Sequence, residues 1–193
     1  MKILKLCTLA TLTLLLSHCH YMSSPQKQHK VLVSVADQQM RIYDEQGYCI
    51  GNYPISTSKF GLGSQLGSNK TPLGKFKIAK KIGHGAESGS VFSSRKLTGE
   101  ILKPNAPGRD PIVTRILWLK GVEPHNKNTF RRYIYIHGTP EENKIGSAVS
   151  YGCVRMKSKD IITFFDQVAQ GTHVTIFPES FLEHQAQLAS LSQ

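Results

Sequence analysis

Short runs of β-branched and aromatic residues, each closed by a turn, dominate this sequence and constrain its fold most strongly. Residues 31–35, 40–43 and 48–56 form three such runs, separated by connections of only a few residues. Parallel strands need a crossover connection of about a dozen residues or more, so these short links favour antiparallel neighbours. The sequence therefore predicts a three-stranded antiparallel meander at the start of the body.

Four later runs are also predicted to be strands. They occupy residues 75–79, 112–119, 132–136 and 172–177, and His137 follows the third of them directly. The segments between them are rich in glycine, serine or proline, which interrupt regular elements. Loops are therefore predicted at residues 57–70, 83–99, 102–111 and 123–128.

One segment has the periodicity of an amphipathic helix. Ser158 is a suitable N-cap residue and Gly171 a suitable stop. Between them apolar residues recur at helical spacing, namely Ile161, Ile162, Phe164, Phe165 and Val168. The predicted fold class is mostly β, with one well-marked helix before the last strand. The tail, residues 179–193, can form a further, peripheral helix.

Residues 1–19 are typical of a secretory signal. Two lysines give it a positive start, and the apolar run at 6–16 is too short for a membrane span of about 20 residues. Residues 20–30 are polar and predict a linker. We therefore expect an exported protein with a single folded domain over residues 31–178.

The end of the leader is similar to the lipidation box of bacterial lipoproteins, in which a cysteine becomes the lipidated N-terminus. Leu16-Ser17-His18-Cys19 fits that box except at His18, where a small residue is usual. A lipid anchor on Cys19 and ordinary cleavage between Cys19 and Ser24 therefore both stay open. Contact with a membrane is expected only through such an N-terminal lipid.

The chain is strongly basic, with a formal net charge of +11. Loss of residues 1–19 would remove two lysines and no acid, which leaves +9. A basic exported protein suggests an anionic polymer or surface as a partner. Local clusters occur at positions 80–81, 131–132 and 157–159, and a solvated surface explains each of them alone. No nucleic-acid-binding motif is present, so nucleic acid is not expected as a partner.

Two cysteines, Cys49 and Cys153, stand in the body of the chain. A disulfide between them would be compatible with export, but Cys49 lies in a strand-like run that favours a small buried side chain. No Cys-x-x-Cys pair is present. The candidates for a mixed metal site lack standard ligand spacing, namely His84, His125, His137 and Cys153. We therefore expect no metal site.

A histidine and a cysteine 16 positions apart have the chemistry of a nucleophile and its base. His137 ends a predicted strand beside Gly138, which would allow a sharp turn, and Cys153 follows Gly152. Cysteine is a strong nucleophile near neutral pH when a neighbour lowers its pKa or takes its proton. The N–H groups of Tyr151, Gly152 and Cys153 could hold the oxyanion of an acyl-transfer intermediate.

Arg155 shares a face with Cys153 if this segment is extended, and its guanidinium suits a substrate carboxylate. Ordinary structural roles also explain these residues, since strand-end histidines, small core cysteines and surface arginines are all common. The residues alone therefore leave both a nucleophilic site and a structural cluster open.

Three motifs stand together in the second half of the chain: His137-Gly-Thr139, a loop with Ile145-Gly146, and Ser150-x-Gly-Cys-Val-Arg-Met156. Their combination resembles the signature of the L,D-transpeptidase catalytic domain, the YkuD-type family. The motif Thr71-Pro-x-Gly-x-Phe76 and the strand at 114–121 also fit that family, so the likeness covers about residues 30–178. The resemblance implies a β-sandwich-like catalytic domain in the bacterial cell envelope or periplasm, acting on peptidoglycan stem peptides.

The resemblance also implies roles for the matching residues. Cys153 would be the nucleophile and His137 its base, with the carbonyl group of Gly138 orienting the imidazole. Ser150 and Gly152 would shape the cysteine loop and the oxyanion hole.

Two further positions flank the cysteine. Arg155 would hold an acidic group of the stem. Tyr151 departs from the family pattern, because many members have a second histidine there. A tyrosine can donate a hydrogen bond but does not carry a proton near neutral pH.

The implied reaction is acyl transfer without a metal or cofactor. The Cys153 thiolate would attack the carbonyl of the third stem residue and expel the terminal D-residue. An amine from a second stem or an envelope protein would resolve the thioester, or water would do so, which gives an L,D-carboxypeptidase. The alternative functions are a non-catalytic peptidoglycan-binding protein on the same fold and a secreted hydrolase of ordinary peptides.

Overall fold

A mixed β-sheet of ten strands with two α-helices forms the body of the protein in the computed structural model, which describes residues 29–191. The strands are β1 (Lys30–Ser34), β2 (Gln39–Tyr43), β3 (Cys49–Pro54), β4 (Gly74–Ile82), β5 (Ser90–Ser93), β6 (Lys96–Ile101), β7 (Ile112–Gly121), β8 (Tyr135–Gly138), β9 (Val154–Met156) and β10 (His173–Phe177). The helices are α1 (Ser158–Gln167) and α2 (Phe181–Leu191), and a 3₁₀ turn covers Glu142–Lys144. The predicted fold class is confirmed.

The strands of the sheet follow the order β3-β2-β1-β10-β4-β7-β5-β6, and β8 and β9 extend from β7. β1, β2 and β3 pair antiparallel, so the predicted meander is confirmed. Residues 116–118 of β7 pair with β4 on one side and with β8 on the other. β8 in turn pairs parallel with β9. β7 therefore joins the large sheet to β8, which contains His137, and through β8 to β9, which Cys153 directly precedes.

The main core lies between the large sheet and α1. Side chains alternate across a strand, so every second residue of the sheet points into this core. Fully buried examples are Val31, Phe76, Ile136 and Val174. Four of the five residues of the predicted helical stripe are buried, namely Ile161, Phe164, Phe165 and Val168, whereas Ile162 is half-buried.

The start of α1 differs from the prediction. Lys157 is the N-cap and Ser158 is the first helical residue, with no side-chain hydrogen bond from the cap. The Ser158 hydroxyl instead shares a hydrogen bond of 2.8 Å with Thr114 Oγ1 of β7. The Glu142 carboxylate accepts the Ser158 N–H at 2.8 Å. A carboxylate is favourable at a helix N-terminus, so Glu142 takes the capping role.

Part of the predicted loop at 83–99 is a β-hairpin. β5 and β6 pair antiparallel, with Ser93 opposite Lys96. The two residues between them, Ser94 and Arg95, both have left-handed backbone, with φ of 49° and 68°. Two-residue turns of this kind usually contain Asn-Gly or Asp-Gly, and the absence of that pair explains the wrong prediction. The turn places Arg95 at the tip of the hairpin.

Two local predictions are corrected, one for the strand that contains His137 and one for Cys49. β8 begins at Tyr135 rather than at residue 132, because residues 129–133 form turns, so His137 lies within the strand. Cys49 is exposed rather than buried, because β3 is an edge strand in which only Tyr53 is fully covered. Cys49 and Cys153 are both free thiols. Residues 29–191 contain no group of three or more potential ligands that could hold a metal ion.

α2 occupies the predicted tail, where Phe181 packs edge-to-face on Phe177 while Leu182 and Leu188 are exposed. The predicted leader at 1–19 lies outside the described residues, as does the predicted linker at 20–30 apart from its last two positions. No helix within residues 29–191 is long and apolar enough to cross a membrane.

Candidate active site

His137 lies within β8, opposite Ile116 of β7 and level with Arg155 of β9. It is only 5% exposed. Its Nδ1 lies 2.8 Å from the carbonyl oxygen of Gly138. Because a carbonyl oxygen only accepts, Nδ1 carries the proton and Nε2 keeps a lone pair. His137 therefore has the tautomer that a general base needs.

Gly138 is required by close packing, not by a sharp turn. It lies in β8 and does not have a positive φ. A Cβ at this position would lie 2.6 Å from the carbonyl oxygen of Val113 and 3.1 Å from Thr114 Cβ. It would also lie 3.2 Å from Ile161 Cγ2. Glycine therefore lets β7 and α1 approach the backbone that orients His137.

Cys153 immediately precedes β9 and is half-buried. Its thiol donates to the carbonyl oxygen of Tyr133 at 3.5 Å and accepts the N–H of Tyr135 at 3.4 Å. Cys153 packs against a buried cluster that includes Tyr135 and Ile116. His137 is two residues from Tyr135 on β8 and opposite Ile116, so Cys153 and His137 lie on the same side of the sheet. Because the thiol donates to the carbonyl oxygen of Tyr133, it must turn from that oxygen toward Nε2 of His137 to transfer its proton. Catalytic hydrogen bonds often form only when substrate is bound.

Burial controls the protonation states of this pair. It raises the pKa of the Cys153 thiol to about 11, although the Tyr135 N–H and the charge of Arg132 lower it. It lowers the pKa of His137 to about 4, although the hydrogen bond to Gly138 raises it. The resting pair at neutral pH is therefore a neutral thiol and a neutral imidazole. Such a pair needs proton transfer during the attack.

Hydrogen bonds within the cysteine loop fix its shape. The Ser150 hydroxyl donates to the carbonyl oxygen of Cys153 at 2.6 Å and accepts the N–H of Gly152 at 3.2 Å. Thr71 Oγ1 donates to the carbonyl oxygen of Gly152 at 3.1 Å. Gly152 has a φ of +115°, which favours glycine. Since its N–H is used within the loop, the N–H groups of Tyr151 and Cys153 are the remaining candidates for an oxyanion hole.

Tyr151 projects from the cysteine loop and is 62% exposed. Its ring centroid lies 5.4 Å from that of Phe60, and Lys59 Nζ donates to its hydroxyl at 3.0 Å. Both partners belong to the predicted loop at 57–70, which forms one wall beside the cysteine loop. Tyr151 therefore lies at the rim of the site.

Arg155 is buried in β9 and only 3% exposed. Its Nη1 forms ion pairs with Asp110 and, at 3.1 Å, with Glu141. Its Nε and Nη2 have no hydrogen-bond partner within the described residues. A substrate carboxylate would have to reach this buried guanidinium beside two carboxylates of the protein. The substrate-binding role of Arg155 therefore stays a prediction, and its observed contacts are structural.

Arg132 is a site residue that the sequence did not distinguish from a surface charge. Its guanidinium donates to the carbonyl oxygens of Gly63 at 3.1 Å and Lys70 at 2.7 Å, which ties the loop at 57–70 to the turn before β8. Its charge lowers the pKa of the Cys153 thiol. The adjacent Arg131 is exposed. Two consecutive arginines in a turn give no signal of which one faces inward.

A cluster of aromatic rings borders Cys153, and we call Trp118, Phe130, Tyr133 and Tyr135 the aromatic wall. Trp118 stacks on Phe130 with ring centroids 4.0 Å apart. The rings of Tyr133 and Tyr135 each lie 5.5 Å from Trp118. Cys153 packs against the same cluster. The nucleophile candidate therefore has an apolar surface on one side.

Arg95 covers the aromatic wall from the tip of the β5–β6 hairpin. Its Cζ lies 5.0 Å from the ring centroid of Trp118 and 5.1 Å from that of Tyr133. Its Nη1 donates to the Tyr135 hydroxyl at 3.2 Å. Within residues 29–191 no carboxylate forms an ion pair with Arg95. Arg95 is therefore a cation near Cys153 that is available to an anionic ligand.

A family model described as the L,D-transpeptidase catalytic domain matches residues 28–176 of this chain. The chain belongs to the L,D-transpeptidase catalytic domain family. The resemblance read from the sequence motifs is thereby confirmed. The matched range runs from just before β1 into β10 and includes both His137 and Cys153.

Curated relatives are also L,D-transpeptidases by name. The putative L,D-transpeptidase YkuD of Bacillus licheniformis is 27% identical over 150 residues, which cover 78% of this chain and 66% of the relative. The putative L,D-transpeptidase YkuD of Bacillus subtilis is 48% identical over 46 residues, 24% of this chain and 28% of the relative. The chain therefore spans less than two thirds of the length of these relatives.

Solved structures of L,D-transpeptidases share the fold. L,D-transpeptidase 3 from Mycobacterium tuberculosis, in complex with a faropenem-derived adduct, aligns with a TM-score of 0.52 and 16% identity, covering 79% of this chain and 61% of that chain. An L,D-transpeptidase from Mycobacterium smegmatis aligns with a TM-score of 0.50 and 18% identity, covering 78% and 59%. At 16–18% identity, this similarity shows a shared fold and nothing about the reaction.

Proposed function

We propose that this protein is a cysteine-dependent L,D-transpeptidase that acts on peptidoglycan stem peptides. The observation that carries the proposal is the placement of Cys153, which directly precedes β9, on the same side of the sheet as His137 of β8, whose Nδ1 donates to the carbonyl oxygen of Gly138. Membership in the L,D-transpeptidase catalytic domain family supports the reaction class. The leader predicted at 1–19 supports an exported protein of the bacterial envelope or periplasm.

In the first half of the reaction, Cys153 Sγ bonds to the carbonyl carbon of the third stem residue. The thiol proton passes to Nε2 of His137, because burial keeps that imidazole neutral and able to accept it. The N–H groups of Tyr151 and Cys153 receive the negative oxygen. The bond to the terminal D-residue then breaks, and the imidazolium returns the proton to its leaving amine. The product is a thioester on Cys153.

In the second half, an amine from a neighbouring stem or an envelope protein attacks the thioester. His137 takes a proton from this amine, and the thiol of Cys153 leaves with that proton. Water in place of the amine gives an L,D-carboxypeptidase by the same steps. No step requires a metal or a cofactor.

Positive charge near the sulfur assists the attack. Arg132 and Arg155 both lower the pKa of the Cys153 thiol against the larger effect of burial. Negative charge that develops on Sγ is stabilised by the same groups. Arg132 is the more direct of the two, because Arg155 is already paired with Asp110 and Glu141.

The stem peptide lies along the aromatic wall in this proposal. Arg95 stands over that wall and has no carboxylate partner within the described residues. A guanidinium in this position can bind a carboxylate of the stem through two parallel hydrogen bonds. Arg95 therefore takes the substrate-carboxylate role that the sequence motif predicts for Arg155.

The test mixes the protein with a disaccharide-tetrapeptide and follows intact mass and released D-residue. Wild type and Cys49→Ala are expected to form the acyl adduct, since Cys49 is an exposed thiol far along the chain from the site. Cys153→Ala is expected to form none. Faropenem provides a second acylating probe, because a relative of this fold was solved with an adduct derived from it.

The products separate the remaining alternatives. Added amines that appear in the product identify a transpeptidase, and a shortened stem alone identifies an L,D-carboxypeptidase. Cleavage of ordinary peptides lacking D-residues identifies a general cysteine hydrolase. No adduct and no turnover in wild type, with sedimentation on purified peptidoglycan, would instead support a non-catalytic wall-binding protein.

A further inference from the structure

Three lysines and a histidine stand in register across four neighbouring strands. Lys30 of β1 is opposite His173 of β10, His173 is opposite Lys77 of β4, and Lys77 is opposite Lys120 of β7. All four side chains are exposed. Neighbouring strands lie about 4.8 Å apart, so these groups are closely and evenly spaced. We call these four residues the cation row, after the three lysines in it.

The cation row has no counter-ions among the described residues. Its strand neighbours Val31, Phe76 and Val174 point into the core, so the row faces away from it. None of its lysines forms an ion pair with a carboxylate within residues 29–191. Lys77 and Lys120 are like charges directly opposite each other on neighbouring strands, which is destabilising. A bound anion would relieve that repulsion.

A cavity of about 740 Å³ runs along three of the four row residues, and Lys120 lies beyond its lining. It is lined by Lys30, Lys77 and His173, and Lys75 contributes a further cation. The loop at 169–172 lines it as well. A linear chain fits into a groove that has a loop along one side, whereas a flat ligand such as a membrane surface does not.

We propose that the cation row binds a linear phosphate polyanion. A lysine ammonium group is a compact point charge and a common partner of phosphate, and it binds phosphate oxygens without a fixed geometry. A flexible phosphate polymer can therefore keep its contacts with the row in more than one alignment. The row contains lysines and no arginine. The net charge of +9 that remains after the expected loss of residues 1–19 would also attract such a polymer over a distance.

The row ends beside the candidate active site. Lys120 lies two residues after Trp118 on β7, and alternation places both side chains on the same face of that strand. A polymer that continues from the groove past Lys120 would therefore approach the aromatic wall. Polyanion binding does not depend on the proposed transpeptidase reaction, because no residue of the cation row takes part in it.

The test compares two triple variants of equal charge. One removes the row lysines, Lys30→Gln, Lys77→Gln and Lys120→Gln. The other removes three exposed lysines elsewhere, Lys96→Gln, Lys103→Gln and Lys127→Gln. Affinity for fluorescently labelled inorganic polyphosphate is measured by anisotropy over a range of salt concentrations. We expect the row variant to bind at least about tenfold more weakly with a shallower salt dependence, and the control to change less than about twofold.

Three results would overturn the proposal. Equal losses in both variants would show a response to net charge only. Tighter binding of polyglutamate than of polyphosphate would assign the row to carboxylates. Row-dependent binding to phosphatidylglycerol vesicles that exceeds polyphosphate binding would assign it to a membrane surface. The melting temperature of the row variant is expected to equal or exceed that of wild type, because repulsion is removed.

Discussion

The imidazole of His137 is oriented by the carbonyl oxygen of its own neighbour, Gly138, at 2.8 Å. The orienting group is therefore part of β8 itself and not a third side chain. Its position depends on the packing of Gly138 against Val113, Thr114 and Ile161. Residues that contact no substrate thus control the direction in which His137 presents Nε2.

Gly138→Ala is expected to abolish most turnover. The added Cβ would lie 2.6 Å from the carbonyl oxygen of Val113, so the backbone beside His137 must move. Such overpacking costs about 1–3 kcal/mol, measurable by urea unfolding. Gly146→Ala is a suitable control, because its Cβ would meet open space and its φ of +101° alone costs about 1–2 kcal/mol. If both variants lose activity equally, the loss reflects stability and not the orientation of His137.

Stability is expected to fall as the pH drops from about 6.5 to about 4. The folded-state pKa of His137 is lowered from 6.5 to about 4 by burial, so in this window the unfolded chain binds more protons. His137 therefore contributes stability above the unfolded pKa, and acid removes up to about 3 kcal/mol of it. Urea unfolding at several pH values gives the difference in free energy of unfolding between wild type and His137→Gln, and its change with pH isolates this effect. A constant difference across the window would contradict it.

The thiol of Cys153 is expected to react slowly with iodoacetamide at neutral pH. Its pKa is raised from 9.0 to about 11 by burial, and a neutral His137 cannot hold a thiolate. The alkylation rate, followed by peptide mass spectrometry, should keep rising above pH 9 in both wild type and His137→Gln. A rate plateau near neutral pH that disappears in His137→Gln would show a thiolate–imidazolium pair instead. A high thiol pKa therefore does not distinguish an active enzyme from a wall-binding protein, and turnover does.

The sequence predicts the parts of this protein that local patterns encode. Alternating apolar residues reveal the meander and β7, and a short motif reveals His137 and Cys153. Arg95 is missed because its turn, Ser94-Arg95, lacks the glycine that usually marks such a hairpin. The contact of Arg155 with Asp110 is missed because it joins a strand to an irregular loop distant in sequence. Long-range ion pairs of this kind leave no periodic trace.

Arg132→Gln is expected to lower kcat/KM about tenfold, whereas Arg131→Gln is expected to leave it unchanged. Arg132 binds the loop at 57–70 and lowers the pKa of the Cys153 thiol, while Arg131 is exposed. Loss of one stabilising charge beside a developing thiolate corresponds to about 1–2 kcal/mol. The disaccharide-tetrapeptide assay of both variants checks this. Equal kcat/KM values for the two variants would show that Arg132 does not assist the reaction.

Arg95→Gln and Arg155→Gln are expected to fail in different ways. Arg95 stands over the aromatic wall without a carboxylate partner in the described chain, so its loss should raise KM for the stem peptide with little change in unfolding. Arg155 is buried with Asp110 and Glu141, so its loss leaves Asp110 without its ion-pair partner, whereas Glu141 keeps Lys144, and should cost about 3–5 kcal/mol of stability. Lys96→Gln, next to Arg95 in the hairpin, controls for a general charge effect. With a stem peptide whose carboxylate is amidated, the wild type should show the same raised KM as Arg95→Gln. If amidation instead leaves KM of wild type unchanged, Arg95 does not bind that carboxylate.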